Sequence, residues 1–177
     1  MEFAAGLAPQ LVVASAGGEP ASTLAASRRL AALLALPLVP WPETGTATSR
    51  LAAQAGRGGP WLAPLLEDPG RWLEADGRWA DLLGAWRQPT VLLVEEAVVD
   101  GGAAAAYSAL LTASRAPLVG LVQWGGSWNW QARSREGLAW LGALSGLTEP
   151  TAGSSQEEQE LALARALMLC WEQLVND

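Results

Sequence analysis

The chain has 177 residues, half of them hydrophobic and 16% charged, which suits a single globular domain, residues 1–177, with a substantial core. Its net charge of −7 excludes the basic footprint that a nucleic-acid partner demands. All eleven basic residues are arginine and Cys170 is the lone cysteine, so histidine acid–base chemistry, lysine Schiff bases and Cys/His zinc sites are excluded.

Cys170 also excludes an internal disulfide and points to a reducing, cytoplasmic setting. The opening MEFAAGLAPQLVV carries no basic leader. The longest apolar run, Leu30 to Trp41, is interrupted by Pro37 and Pro40 and is too short to span a membrane.

In chain order, Leu11–Ser15 reads as a buried strand. A helix over 20–35 follows, with Pro20 at its first position and a stripe of Ala26, Leu30, Leu33 and Leu34. Residues 37–40 form a short strand, and 42–60 read as loop, rich in Gly, Thr, Ala and Pro. Residues 71–87 read as a helix presenting Trp72, Trp79 and Trp86, seven apart, on one face. That stripe fits core, or else a dimer seam.

Thr90–Val94 is the clearest buried strand, and 102–114 an alanine-rich helix. Pro117–Trp124 and Leu138–Leu144 are further strands. Ser155 and Glu158 have capping-box spacing at the head of a final helix. Strands alternating with helices predict a three-layer α/β fold, a mostly parallel sheet flanked by helices. Ligands of such folds bind beyond the carboxyl ends of the strands, here after Ser15, Val94 and Trp124.

Four places there attract attention. ASAGGEPASTLAAS, residues 14–27, stands where a phosphate-binding loop belongs, with Ala16, Gly17 and Gly18 before a helix. Thr23 fits a magnesium-binding hydroxyl, but Ser22 stands in place of the lysine and Ala21 in place of a glycine. Glu95 and Glu96, with Asp100, end a strand and are candidates for magnesium or acid–base work, or are solvated acids. WGGSWNW, residues 124–130, is a candidate stacking surface for a flat ligand or partner, or a loop folded over the core. Arg133 and Arg135 are candidate anion holders.

These features occur in an order that resembles dethiobiotin synthetase of the P-loop family. Ser15–Thr23 spans the family's G-T-x-T-x-V-G-K-T, and Trp41-Pro42 its Lys-Pro pair. Ala55-Gly56-Arg57-Gly58-Gly59 is similar to E-G-A-G-G, and Pro64-Leu65 to the Pro-Leu that follows. Ala80-Asp81-Leu82, Pro89–Val94, Leu110-Leu111-Thr112, Gly120–Trp124 and Leu141-Gly142 continue the order to the end of the chain.

The resemblance implies a P-loop fold, a homodimer, and a nucleotide site at Gly17, Gly18, Ser22, Thr23, Gly58, Gly59 and Trp124. ATP and magnesium would be its cofactors only if the family's carboxylation of a diamine were retained. The departures fall on that chemistry: Ser22 and Trp41 replace lysines, Ala55 an acid, and Trp124 an adenine-recognising asparagine. The resemblance therefore implies a degenerate, non-catalytic protein that binds a small molecule or a partner. The alternatives are a diverged ATP-dependent enzyme and a structural dimer. Glu19, just before Pro20, is expected to fill the glycine loop in place of a phosphate.

Overall fold

A computed structural model of the chain describes residues 8–146 and 154–176. Five strands, β1 (Gln10–Ser15), β2 (Trp61–Pro64), β5 (Thr90–Glu95), β6 (Leu118–Trp124) and β7 (Trp140–Leu144), form one parallel sheet in the order β2-β1-β5-β6-β7. Leu38 adds an isolated parallel bridge to Leu62 beyond β2, all that forms of the strand expected over 37–40.

Alternation along each strand sorts its residues between two cores. Leu11, Val13, Val91, Leu93 and Val122 pack under α1 (Pro20–Leu34) and α6 (Ser154–Asn176). Val12, Ala14, Leu92, Val94 and Leu121 pack on the other side, with Leu51 of α2 (Ala47–Ala55), Leu83 of α3 (Trp79–Ala85) and Leu111 of α4 (Ala103–Ala113). The sheet is thus covered on both faces, as the three-layer expectation requires. Among the described residues no helix is long and apolar enough to cross a membrane.

Two expected segments differ. The loop over 42–60 contains α2, whose Thr46 side chain caps it by accepting from the Ser49 N–H at 3.2 Å. The helix expected over 71–87 begins only at Trp79. Before it, β3 (Trp72–Leu73) and β4 (Gly77–Arg78) form a small hairpin, turned through Glu74, Ala75 and Asp76 and entering β4 at Gly77, whose φ is +77°. Asp76 also accepts from the Thr48 hydroxyl at 2.8 Å, tying the hairpin to α2.

The tryptophans at 72, 79 and 86 therefore share no face: Trp72 is 65% exposed, Trp79 fully buried and Trp86 43% exposed. The expected cap at Ser155 and Glu158 involves the Ser155 side chain, which lies outside the described residues. A short helix, α5 (Trp130–Arg135), was not expected.

The unequal burial of the three indoles has a direct test. Trp79→Ala should cost about 3–5 kcal/mol of unfolding free energy, and Trp72→Ala no more than about 0.5 kcal/mol, in urea titration. Equal losses would contradict this placement.

Candidate functional site

The chain leaves β1 toward β2 and Leu38 on one side, and later returns to β5 on the other. The sheet order thus reverses between β1 and β5, and a crevice opens beyond their carboxyl ends. The glycine loop lies in that crevice. Ala16 N–H donates to Leu93 O at 2.8 Å, continuing the β1–β5 pairing. Gly17 takes φ +78°, the left-handed region that glycine tolerates. Gly18 N–H then turns back to Ser15 Oγ at 2.9 Å.

The loop holds a carboxylate from the neighbouring strand. Glu95 Oε1 accepts the backbone N–H of Glu19 at 3.1 Å. A Cβ at position 18 would lie 2.3 Å from both Glu95 Oε1 and Ser15 Oγ, so the absent side chain of Gly18 admits Glu95. The expectation that Glu19 fills the loop is corrected. Glu19 sits at the N-cap of α1, exposed, and its side chain makes no capping bond. N-caps favour the shorter Asp, Asn, Ser and Thr.

The other candidates separate. Thr23 is buried, and its hydroxyl donates to Glu19 O at 3.1 Å, a bond internal to the first turn of α1. Ser22, Glu95, Glu96 and Trp124 line one open cavity of about 430 Å³ beside the loop. Trp124 itself is buried in the α1/α6 core. Glu96 heads a 3-10 turn and diverges from Glu95, toward Gly126. Asp100 instead pairs with Arg133 at 2.6 Å.

Arg133 is buried and also meets Glu136, the Val99 carbonyl and the Trp140 ring. Burial pushes its pKa down, but hydrogen bonds to Asp100 and Glu136 outweigh this and hold it above the ordinary arginine range. Its charge is already paired. Arg135 is exposed. Of the WGGSWNW indoles, Trp128 stacks edge-on to Trp140 at 6.1 Å, and Trp130 is 59% exposed. Among the described residues no group of three or more His, Cys, Asp or Glu is arranged to hold a metal.

Gly58 and Gly59 lie apart from all of these. They precede β2, next to the start of β1, where Gln10 Nε2 donates to Gly59 O at 3.2 Å. That is the amino end of the parallel strands, opposite the glycine loop, so they cannot share its ligand. The carboxyl end of β2 leads instead into Leu65-Leu66-Glu67-Asp68.

Glu67 belongs to a cluster that the sequence reading missed. It pairs with Arg50 at 2.6 Å and accepts the Trp79 indole N–H. The Arg50 guanidinium lies 5.2 Å from the Trp79 ring and 5.9 Å from the Trp41 ring. Trp41 donates to Pro64 O at 2.8 Å. The available signal was a cap at Thr46 opening an amphipathic turn, which would have put Arg50 on a helix.

Burial raises the Glu67 pKa, but the hydrogen bonds from Arg50 and Trp79 and the charges of Arg50 and Arg71 outweigh it, leaving the carboxyl below the ordinary glutamate range. Tyr107, against the Gly17 side of the loop, moves the other way: burial and the adjacent Asp68 carboxylate raise it.

A scan against protein-family models finds no match to this chain, and a search of the curated proteins finds none either.

Two predictions arise from this geometry. Gly18→Ala and Glu95→Ala should be non-additive by about 0.5–3 kcal/mol, because removing the carboxylate relieves part of the crowding at Gly18, whereas Glu19→Ala should add independently. Full additivity in a denaturation cycle would mean that Glu95 does not occupy the loop. For Glu67, a folded pKa below the unfolded one makes its stabilisation present above the ordinary glutamate range and lost as pH falls through the folded value. Glu67→Gln should therefore cost about 1 kcal/mol near neutral pH, discounted for solvent screening, and flatten the acid limb of the stability curve.

Proposed function

We propose that this chain is a degenerate dethiobiotin synthetase-like P-loop protein, silent in phosphoryl transfer, that acts by binding a small molecule. The observation that carries this reading is the Glu95 carboxylate at the glycine loop. A loop of this kind binds phosphate through backbone N–H groups at a helix N-terminus. Here one of those donors is already given to a negative charge. A phosphate oxygen brought to about 4 Å from that carboxylate would meet repulsion of roughly 4 kcal/mol at an effective dielectric of about 20. That exceeds what one charged hydrogen bond returns, about 1.5–3 kcal/mol.

Composition supports the same conclusion. Phosphoryl transfer relies on positioned cations, and the chain has no lysine to supply one. Near the carboxyl end of β2, Arg50 is paired with Glu67, and the charge of Arg71 acts on the same carboxylate. The collinear order of β1, glycine loop and α1 supports a P-loop ancestry. The registration of E-G-A-G-G on 55–59 does not, because those residues precede β2.

ATP with magnesium should leave the thermal midpoint of the unmodified protein unchanged within about a degree, since a ligand that does not bind the folded state cannot stabilise it. Glu95→Ala combined with Ala21→Gly and Ser22→Lys should gain a nucleotide-dependent rise. Stabilisation of the unmodified protein by several degrees would overturn the reading.

A further inference from the structure

Beyond the carboxyl ends of β2 and the Leu38 segment, and against α1 at Leu24 and Arg28, lies a cavity of about 580 Å³. Drug-sized ligands occupy cavities of about 300–1,000 Å³ with apolar walls and a few polar groups. Leu24, Leu38 and Leu66 line this one with three prolines, 40, 42 and 64, and the Trp41 ring. Leu66 is 42% exposed, an apolar side chain left in water at the opening.

Four charged residues share the lining: Arg28, Glu43, Arg50 and Glu67. Arg50 and Glu67 neutralise each other. Arg28 projects from the third turn of α1, is exposed, and has no carboxylate at ion-pair distance among the described residues. The Nε of Arg50 is buried and finds no acceptor among them. An unsatisfied buried donor costs about 1–3 kcal/mol, and the rest of the Arg50 guanidinium is committed to Glu67, which leaves Arg28 as the free cation of the lining among the described residues. Glu43 is the opposing charge on the rim.

We propose that this cavity binds a small organic monoanion, a carboxylate carried on an apolar body, with the body against Trp41 and the leucines and the carboxylate at Arg28. The proposal rests on the reading of the chain as a small-molecule binder and names the ligand class. It does not depend on whether nucleotide binds the glycine loop, so the ATP experiment and this one fail separately.

The test uses phenylbutyrate and its uncharged counterpart phenylbutanol, titrated into the full chain and followed by the Trp41 indole N–H resonance, assigned with Trp41→Phe. Phenylbutyrate should shift that resonance at millimolar concentration and bind more tightly than the alcohol. Arg28→Glu should weaken phenylbutyrate about tenfold or more and leave phenylbutanol unchanged, a tenfold change being about 1.4 kcal/mol. Glu43→Gln should tighten phenylbutyrate, and Arg115→Glu, at the far end of α4, should change nothing. Three results would overturn the proposal: no shift with either probe, an Arg28→Glu variant that binds phenylbutyrate as before, or a Glu43→Gln variant that binds it more weakly.

Discussion

The hydrogen bond from Glu19 N–H to Glu95 joins the head of α1 to the end of β5, at the point where the sheet order reverses. Everything around it follows from a shared constraint. The sheet is buried on both faces, so a polar group on β1 or β5 finds room only beyond the strand ends. Glu95 is the last residue of β5 and on the same alternation as Val91 and Leu93, which directs it to the α1 side. There the first turn of α1 offers unpaired N–H groups, which attract negative charge. The glycines at 17 and 18 let the carboxylate approach. Gly17 supplies a left-handed turn, and Gly18 leaves the volume that a Cβ would take.

This arrangement separates two features that looked like one. A glycine loop before a helix is compatible with phosphate binding, but it equally suits an anion built into the protein. The sequence presents two carboxylates close enough to serve, Glu19 by proximity and Glu95 by topology. Only the second reaches the loop. The helix cap favours a short side chain, whereas a glutamate arriving from the adjacent strand has the length to cross the crevice.

Much of the sheet was legible because parallel strands buried on both faces appear as continuous apolar runs. Val91 to Val94 and Leu121 to Val122 are such runs. β2 was not, because Trp61-Leu62-Ala63-Pro64 is four residues long, bounded by prolines and preceded by glycines that suggested loop. A seven-residue spacing of tryptophans resembles a helical face, yet Asp76-Gly77 between two of them closes a hairpin turn. That dipeptide carried more information than the spacing. At the site, Glu95 and Ser22 were found at one crevice because the strand-end rule is topological. Gly58 and Gly59 were assigned by motif order alone, and missing β2 put them at the wrong end of the sheet. The same error hid Glu67, whose position beyond β2 has meaning only once β2 is known.

Aromatic and charged groups gather instead at the sheet edge, beyond β2. Trp41, Trp79, Arg50 and Glu67 form a connected set in which each indole N–H has an acceptor and the arginine packs against both rings. Holding four such groups together costs side-chain entropy, and partial burial of the charges adds desolvation. An apolar cluster of equal volume would serve packing alone at lower cost. The set instead gives the cavity beside it a rigid wall, with Trp41 fixed by its bond to Pro64 O and by contact with Trp79. A ligand meeting that wall has little ordering left to impose on the protein, which is the condition under which a modest contact area yields useful affinity. The crevice at Glu95 already holds a carboxylate of the protein, whereas the edge cavity is bounded by this frame and left open at its centre. The edge cavity thus lies one strand outward of the glycine loop, at the end of β2 rather than of β1.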